Sequence, residues 1–203
     1  MTNERAVYDL YARLGKNSDD NDLPYQLVAQ WLSTARANVI IDRLIRNGNE
    51  ISPSMTIKKE CASISTHQEC NGCPTKYVEL PVQVLDLPND IGVYDVRRSG
   101  GLPIDRFGSF SNYTILQGSP QYIPKHGYYR DGNKIMLIGN YPETQKITIT
   151  YVPYDIVELD RKDRFPVDTT IVATVMDIAT KIGAQQLGIP IDINNDGKDQ
   201  TQT

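Results

Sequence analysis

The sequence predicts an α+β protein in which N-terminal helices and a C-terminal helix pack together, with an antiparallel β-rich region inserted between them. Apolar residues recur at helical spacing near both ends, and the pattern changes to period-two alternation from about residue 54. Hydrophobic residues make up 39% of the 203, which suffices for a real core. The expected organisation is a helical part at 1–50, a β-rich insertion at 51–155, a second helical part of the same domain at 156–190, and a flexible tail or arm at 191–203.

Two helices are predicted in the first 50 residues. The first covers residues 3–14 and is followed by Gly15, which suits the left-handed position past a helix end. The second has Asp22 as its N-cap and Pro24 just inside, and it ends near Asn47 and Gly48. Its apolar stripe consists of Leu27, Val28, Trp31, Leu32, Ala35, Val39 and Leu44.

A third helix is predicted after Phe165 and Pro166, with Asp168 as its cap and with Gly188 and Pro190 as its end. Its apolar face consists of Ile171, Val172, Val175, Ile178, Ala179, Ile182 and Leu187. The Asn/Asp-rich residues that follow have the composition of a disordered tail.

Runs of β-forming residues separated by turn residues predict strands within 55–64, 76–85, 91–99, 126–130, 133–139 and 145–154. Asp131 and Gly132 stand between two of these runs and can take the positive φ angles of a tight hairpin turn. Residues 99–125 are too rich in Gly, Ser and Pro for one regular element. Such a long loop is usually functional or ordered by a partner.

The charge balance does not favour nucleic acid or an acidic membrane as a partner, because 21 Lys and Arg stand against 25 Asp and Glu, a net charge of −4. The first residues contain no apolar core of roughly 7–15 residues, so neither a signal peptide nor a transmembrane helix is expected there. We therefore expect a protein that is made in the cytoplasm and does not enter a membrane. Three cysteines in a reducing compartment indicate free thiols and no disulfide framework.

The cysteines offer one candidate metal or redox site, formed by Cys61, His67, Cys70 and Cys73. Cysteine and histidine are zinc ligands, and CxxC with a third Cys is compatible with such a site. However, all four lie around one predicted hairpin, whereas zinc ribbons bring two separated knuckles together. We predict no metal and no cofactor, and keep a cytoplasmic Cys-based metal-binding or redox protein as the alternative.

A calcium loop is suggested only in part, by Asp192, Asn194, Asp196 and Gly197. The twelfth position of that loop falls on Thr203, which is not the bidentate glutamate that calcium requires. A flexible acidic tail is the better interpretation.

No catalytic motif is recognisable. The two histidines, His67 and His126, stand in no pattern typical of a nucleophile and its base. No phosphate-binding, dinucleotide-binding or metalloprotease motif occurs either, so we predict that the protein is not an enzyme. Twelve tyrosines near arginines could stack nucleic-acid bases, but tyrosine is also a good strand and interface residue, and acidic neighbours cancel a basic patch.

Three stretches carry a resemblance to a known family. The C-terminal RFPVDTTIVATVMDIATKIGAQQLGIPIDINNDGKD, the Cys-bearing KKECASISTHQECNGCPTKYVELPVQVL and the N-terminal QLVAQWLSTARANVIIDRLI cover about half of the chain. Together they resemble the head-to-tail connector or ring proteins, also called neck or tail adaptor proteins, of podovirus-type tailed bacteriophages. The likeness is greatest to those of crAss-like Bacteroidales phages. The middle loop, 99–125, matches no pattern of that family.

The resemblance implies a virion protein of the head–tail neck that forms a homo-oligomeric ring of roughly a dozen copies. Such a ring binds the portal protein and other neck or tail proteins, and DNA passes through its lumen. In such a ring the middle loop and an arm after the last helix would meet neighbouring subunits. The expected interface residues are Phe107, Phe110, Tyr113, Ile189, Pro190, Ile191, Asp192 and Ile193.

Overall fold

A computed structural model describes residues 1–16, 23–47, 51–68, 74–107 and 126–189 of the chain. Its helices are α1 (Asn3–Arg13), α2 (Tyr25–Asn47) and α3 (Val172–Leu187). The strands are β1 (Ile57–Ser63), β2 (Ser65–Gln68), β3 (Pro74–Glu79), β4 (Val93–Arg98), β5 (Asp105–Arg106), β6 (His126–Asp131), β7 (Lys134–Gly139) and β8 (Lys146–Tyr151). The α+β class with helices at both ends of the chain is thus confirmed.

The helices form one layer around a shared apolar core. Trp31 of α2 lies directly over Gly183 of α3, where an added Cβ would stand 2.8 Å from the indole ring. The indole Nε1 also donates a hydrogen bond to Gln186 Oε1 at 2.7 Å. Because Gly183 has no side chain, the bulky indole can approach the backbone of α3 closely. The core also includes Val7, Leu10, Val28, Leu32, Ala35, Val175, Met176 and Ala179.

The last helix begins later than the sequence predicts. Asp168 was expected to cap α3, but the helix starts at Val172 with no side-chain cap. The Asp168 carboxylate instead accepts a hydrogen bond from the Thr170 amide at 3.0 Å, which lowers its pKa. Asp168 therefore makes the local bond expected of a cap, but it closes a short turn that ends before α3 begins.

The end of α3 has the predicted glycine cap, but its apolar face is shorter than predicted. Gly188 adopts φ +65° and its amide bonds to carbonyls of the last turn, as a left-handed cap does. Leu187, which was assigned to the apolar face, is 36% exposed. Gly15 after α1 also has φ +65°.

The strands form two sheets. One has three antiparallel strands in the order β1-β8-β4, and the other has five in the order β2-β3-β7-β6-β5. Only Ile64 separates β1 from β2, so the chain passes from one sheet to the other within a single extended stretch. The inward faces of both sheets contribute to one buried cluster, which makes this region a sandwich.

The predicted hairpin exists, but its turn is displaced by one residue. Asp131 still belongs to β6 and pairs with Lys134, so the turn consists of Gly132 and Asn133. Gly132 supplies the positive φ, +56°.

Two further expectations need correction in the region after β4. The insertion is not wholly antiparallel, because β5 pairs in parallel with β6. Residues 99–107 are also more regular than predicted, because the chain turns back on β4 and the Ile104 amide donates to the Val96 carbonyl at 2.9 Å.

A third apolar cluster joins the helical layer to the sandwich. It consists of Ala37, Ile40, Leu44, Ile51, Met55, Leu85, Leu87 and Val152. The C-terminal half of α2 thus packs on the chain segments that enter and leave the β-rich region. The predicted Asp22 cap, the Gly48 helix end, residues 108–125 of the long loop and the tail at 191–203 lie outside the described residues.

Candidate interaction surfaces

The candidate metal ligands are described only in part. Cys61 is an exposed free thiol on β1 of the three-stranded sheet. The backbone of His67 belongs to β2 of the five-stranded sheet, while Cys70 and Cys73 lie outside the described residues. No group of three or more His, Cys, Asp or Glu side chains comes together in the described part of the chain. The Cys-based site therefore stays a prediction.

Phe107, one of the expected interface residues, lies inside the protein. Its side chain is only 6% exposed, and its ring covers Gly127, where an added Cβ would stand 1.8 Å from the ring. Its amide donates to the Tyr128 carbonyl at 2.7 Å. Phe107 therefore packs within its own subunit and offers no free surface to a partner.

The other expected interface residues are mostly outside the described part. Ile189 is described, half-buried, and packs against the helical core. Phe110 and Tyr113 precede β6 in the undescribed part of the loop, and Pro190, Ile191, Asp192 and Ile193 follow the last described residue, as does the partial calcium loop. Their contacts stay predictions.

A network of arginines and carboxylates, which sequence reasoning missed, fixes the β6–β7 hairpin. Arg130 has a side chain only 8% exposed and contacts Asp90 at 2.9 Å and Asp86 at 2.7 Å. Arg106 lies 3.4 Å from the other oxygen of Asp90. Because the Arg130 Nε also donates to the Gly132 carbonyl, one guanidinium joins the hairpin turn to the segment before β4. These residues are far apart in sequence, so no local pattern signals the network.

Two open cavities lie beside this network, one against α2 and one against the hairpin turn. Their volumes are about 220 and about 540 Å³, and Gln83 and Asp86 line both. The cavity against α2 has Ile41 and Tyr154 in its wall, and the one against the hairpin turn has Arg130 and Asn133.

Exposed apolar side chains occur on both layers. The helical layer presents Ile45, 71% exposed, and Tyr8, 43% exposed. The sandwich presents Leu102, 59% exposed, and Tyr94, 51% exposed. Large apolar side chains in water are the usual material of protein interfaces when they occur in contiguous patches. Ile45 could have been found from the sequence, since it lies four residues after Ile41 on one face of α2.

None of the described helices is long and apolar enough to span a bilayer. Comparison with models of protein families finds no match, and comparison with curated proteins finds no significant similarity.

Proposed function

We propose that this chain is a structural subunit of an oligomeric ring in the head–tail connector of a tailed bacteriophage. In this role it links the portal to the tail, lines the passage of the DNA, and performs no catalysis. It is made in the bacterial cytoplasm and ends in the neck of the virion. The resemblance of the helical ends and the Cys-bearing segment to neck proteins suggests the family.

The observation that carries the proposal is the presence of exposed apolar side chains on two different layers. A ring is built from head-to-tail contacts, in which one surface of a subunit meets a different surface of the next. Ile45 and Tyr8 on the helical layer and Leu102 and Tyr94 on the sandwich are the exposed apolar side chains that we assign to two such surfaces. A copy number near twelve follows from the resemblance alone.

Electron microscopy of this protein mixed with the purified portal from the same genome tests the proposal. A symmetric collar on one end of the portal, absent from either component alone, is the expected result. A bare portal in the presence of folded protein in excess, together with the other neck proteins of that genome, contradicts it. Stoichiometric zinc in protein purified without added metal favours the Cys-based alternative.

A further inference from the structure

Arg36 of α2 is a fully buried cation. Its Nε and Nη1 donate to the carbonyls of Pro166 and Pro153, both at 2.6 Å, and its Nη2 donates to the carbonyl of Met55 at 3.1 Å. Burial lowers the pKa of the guanidinium to about 9, so it stays charged at neutral pH. A buried charge is costly unless it is hydrogen-bonded, and here each of the three guanidinium nitrogens donates to a backbone carbonyl.

The three acceptors mark the points at which the chain passes between its layers. Met55 precedes β1, where the chain enters the sandwich, and Pro153 follows β8, where the chain leaves it. Pro166 lies on the path from that exit to α3. A single side chain therefore holds the entry, the exit and the approach to the last helix.

The rest of this α2 face also meets the crossing segments. Ser33 Oγ accepts a hydrogen bond from the Ile156 amide at 3.0 Å, just after the exit from the sandwich. Ala37 and Ile40 belong to the apolar cluster between the layers. Residues 33, 36, 37 and 40 share one helical face, so the polar and apolar contacts between the layers form one continuous seam.

We propose that Arg36 is a latch that holds the helical layer and the sandwich at one fixed orientation and makes them unfold together. Its planar fork reaches three carbonyls that point from different directions. The single ammonium of lysine cannot reach all three, even though it preserves the charge. Without the guanidinium, the chain entry and exit lose their common anchor, and the sandwich is free to open as a separate unit.

Native-state hydrogen exchange of the full chain, followed peptide by peptide, tests the latch with Arg36→Lys and Arg36→Met. In the wild type, the slowest amides of α2 and β8 are expected to share one unfolding free energy. In either variant, the β8 amides should exchange at least ~10-fold faster than those of α2. The control is Arg43→Lys, on the same helix, because among the described residues Arg43 bonds to Thr170 and approaches Asp168, both just before α3. In this control variant the exchange rates of the α2 and β8 amides should not separate.

Equal acceleration of exchange in both layers of the Arg36 variants means that Arg36 stabilises the protein without coupling its layers, and overturns the proposal. Unchanged exchange overturns it as well. If neither variant folds, the wild type is measured in increasing urea. Opening free energies of the α2 and β8 amides that differ from the start contradict the latch. Opening free energies that converge to one value as urea increases uphold it.

Discussion

Buried tyrosines are treated differently in the two layers of this protein. In the helical layer, Tyr11 donates its hydroxyl hydrogen to the Leu23 carbonyl at 2.6 Å. In the sandwich, the hydroxyl of Tyr141 is buried and finds no partner among the described residues, and neither does the Nε of Arg98. The rings of Tyr141 and His126 instead pack in a T-shaped arrangement, with centroids 5.0 Å apart. A buried polar atom without a partner is destabilising, and among the described residues Tyr141 lacks the acceptor that Leu23 gives Tyr11.

The largest expected effect breaks the packing of the helical layer. Gly183→Val places a branched side chain where even a Cβ would stand 2.8 Å from Trp31 and 3.1 Å from Leu14. Overpacking of this kind should lower the free energy of unfolding by about 3 kcal/mol, measured by urea denaturation. Gln185→Val, at an exposed position of the same helix, should cost less than about 1 kcal/mol. Equal losses at the two positions would show that the Trp31–Gly183 contact is not tight.

The next effect measures the contrast between the tyrosines directly. Tyr11→Phe leaves the Leu23 carbonyl without its donor and should cost about 1 kcal/mol or more. Tyr141→Phe removes a hydroxyl that has no described partner, so it should be neutral or stabilising. Thermal or urea unfolding of both variants checks the pair, and a larger loss for Tyr141→Phe would mean that its hydroxyl has a partner.

Alkaline pH should destabilise the protein through the buried tyrosines of the sandwich. Burial raises the pKa of Tyr128, Tyr141 and Tyr151 from 10.0 to about 12. The unfolded chain therefore releases these protons at a lower pH than the folded protein does. The stability that these three tyrosines contribute is fully present below pH 10 and is lost as the pH rises toward 12.

Urea midpoints measured in pH steps, with tyrosinate absorbance, follow this loss. Tyr151→Phe should make the decline shallower, because one of the three raised groups is gone. An unchanged decline would assign the alkaline sensitivity to other groups.

The smallest effect on stability is expected at the exposed apolar residues. Ile45→Ser and Leu102→Ser each change a side chain that is mostly in water, so the free energy of unfolding should move by no more than about 0.5 kcal/mol. Either variant should nevertheless weaken collar formation on the portal if the two layers meet head to tail. Lys162→Ser, which changes an exposed charged side chain and no apolar one, serves as the control in the same microscopy experiment. If both variants form collars as the wild type does, neither side chain belongs to the contact between subunits.

The sequence predicts what is local and misses what is not. The helix periods, Gly188 and the β6–β7 hairpin could be read from neighbouring residues, because each depends on spacing or on one backbone angle. The parallel pairing of β5 could not, because its partner β6 begins only at His126, across the long loop. The Asp168 cap was wrong because its bond to the Thr170 amide closes a separate turn, and the helix begins only at Val172.

The same limit applies to the candidate surfaces. Arg36 reads as a polar interruption in the apolar stripe of α2, and only the fold shows that three distant carbonyls converge on it. Phe107 was assigned to an interface because aromatic residues in long loops often face partners, yet Gly127 makes room for its ring inside the protein. Composition gives the residue type, but it does not tell whether the side chain packs inside the protein or faces a partner.

The strand order also has a consequence for synthesis on the ribosome. Within the three-stranded sheet, β1 and β4 both pair with β8, which is the last of the described strands. A nascent chain that has emerged only as far as β7 therefore holds two strands whose shared partner is still inside the ribosome. Translation must pass residue 151 before the sandwich can close, and chains arrested earlier should be cut by protease within β1 and β4.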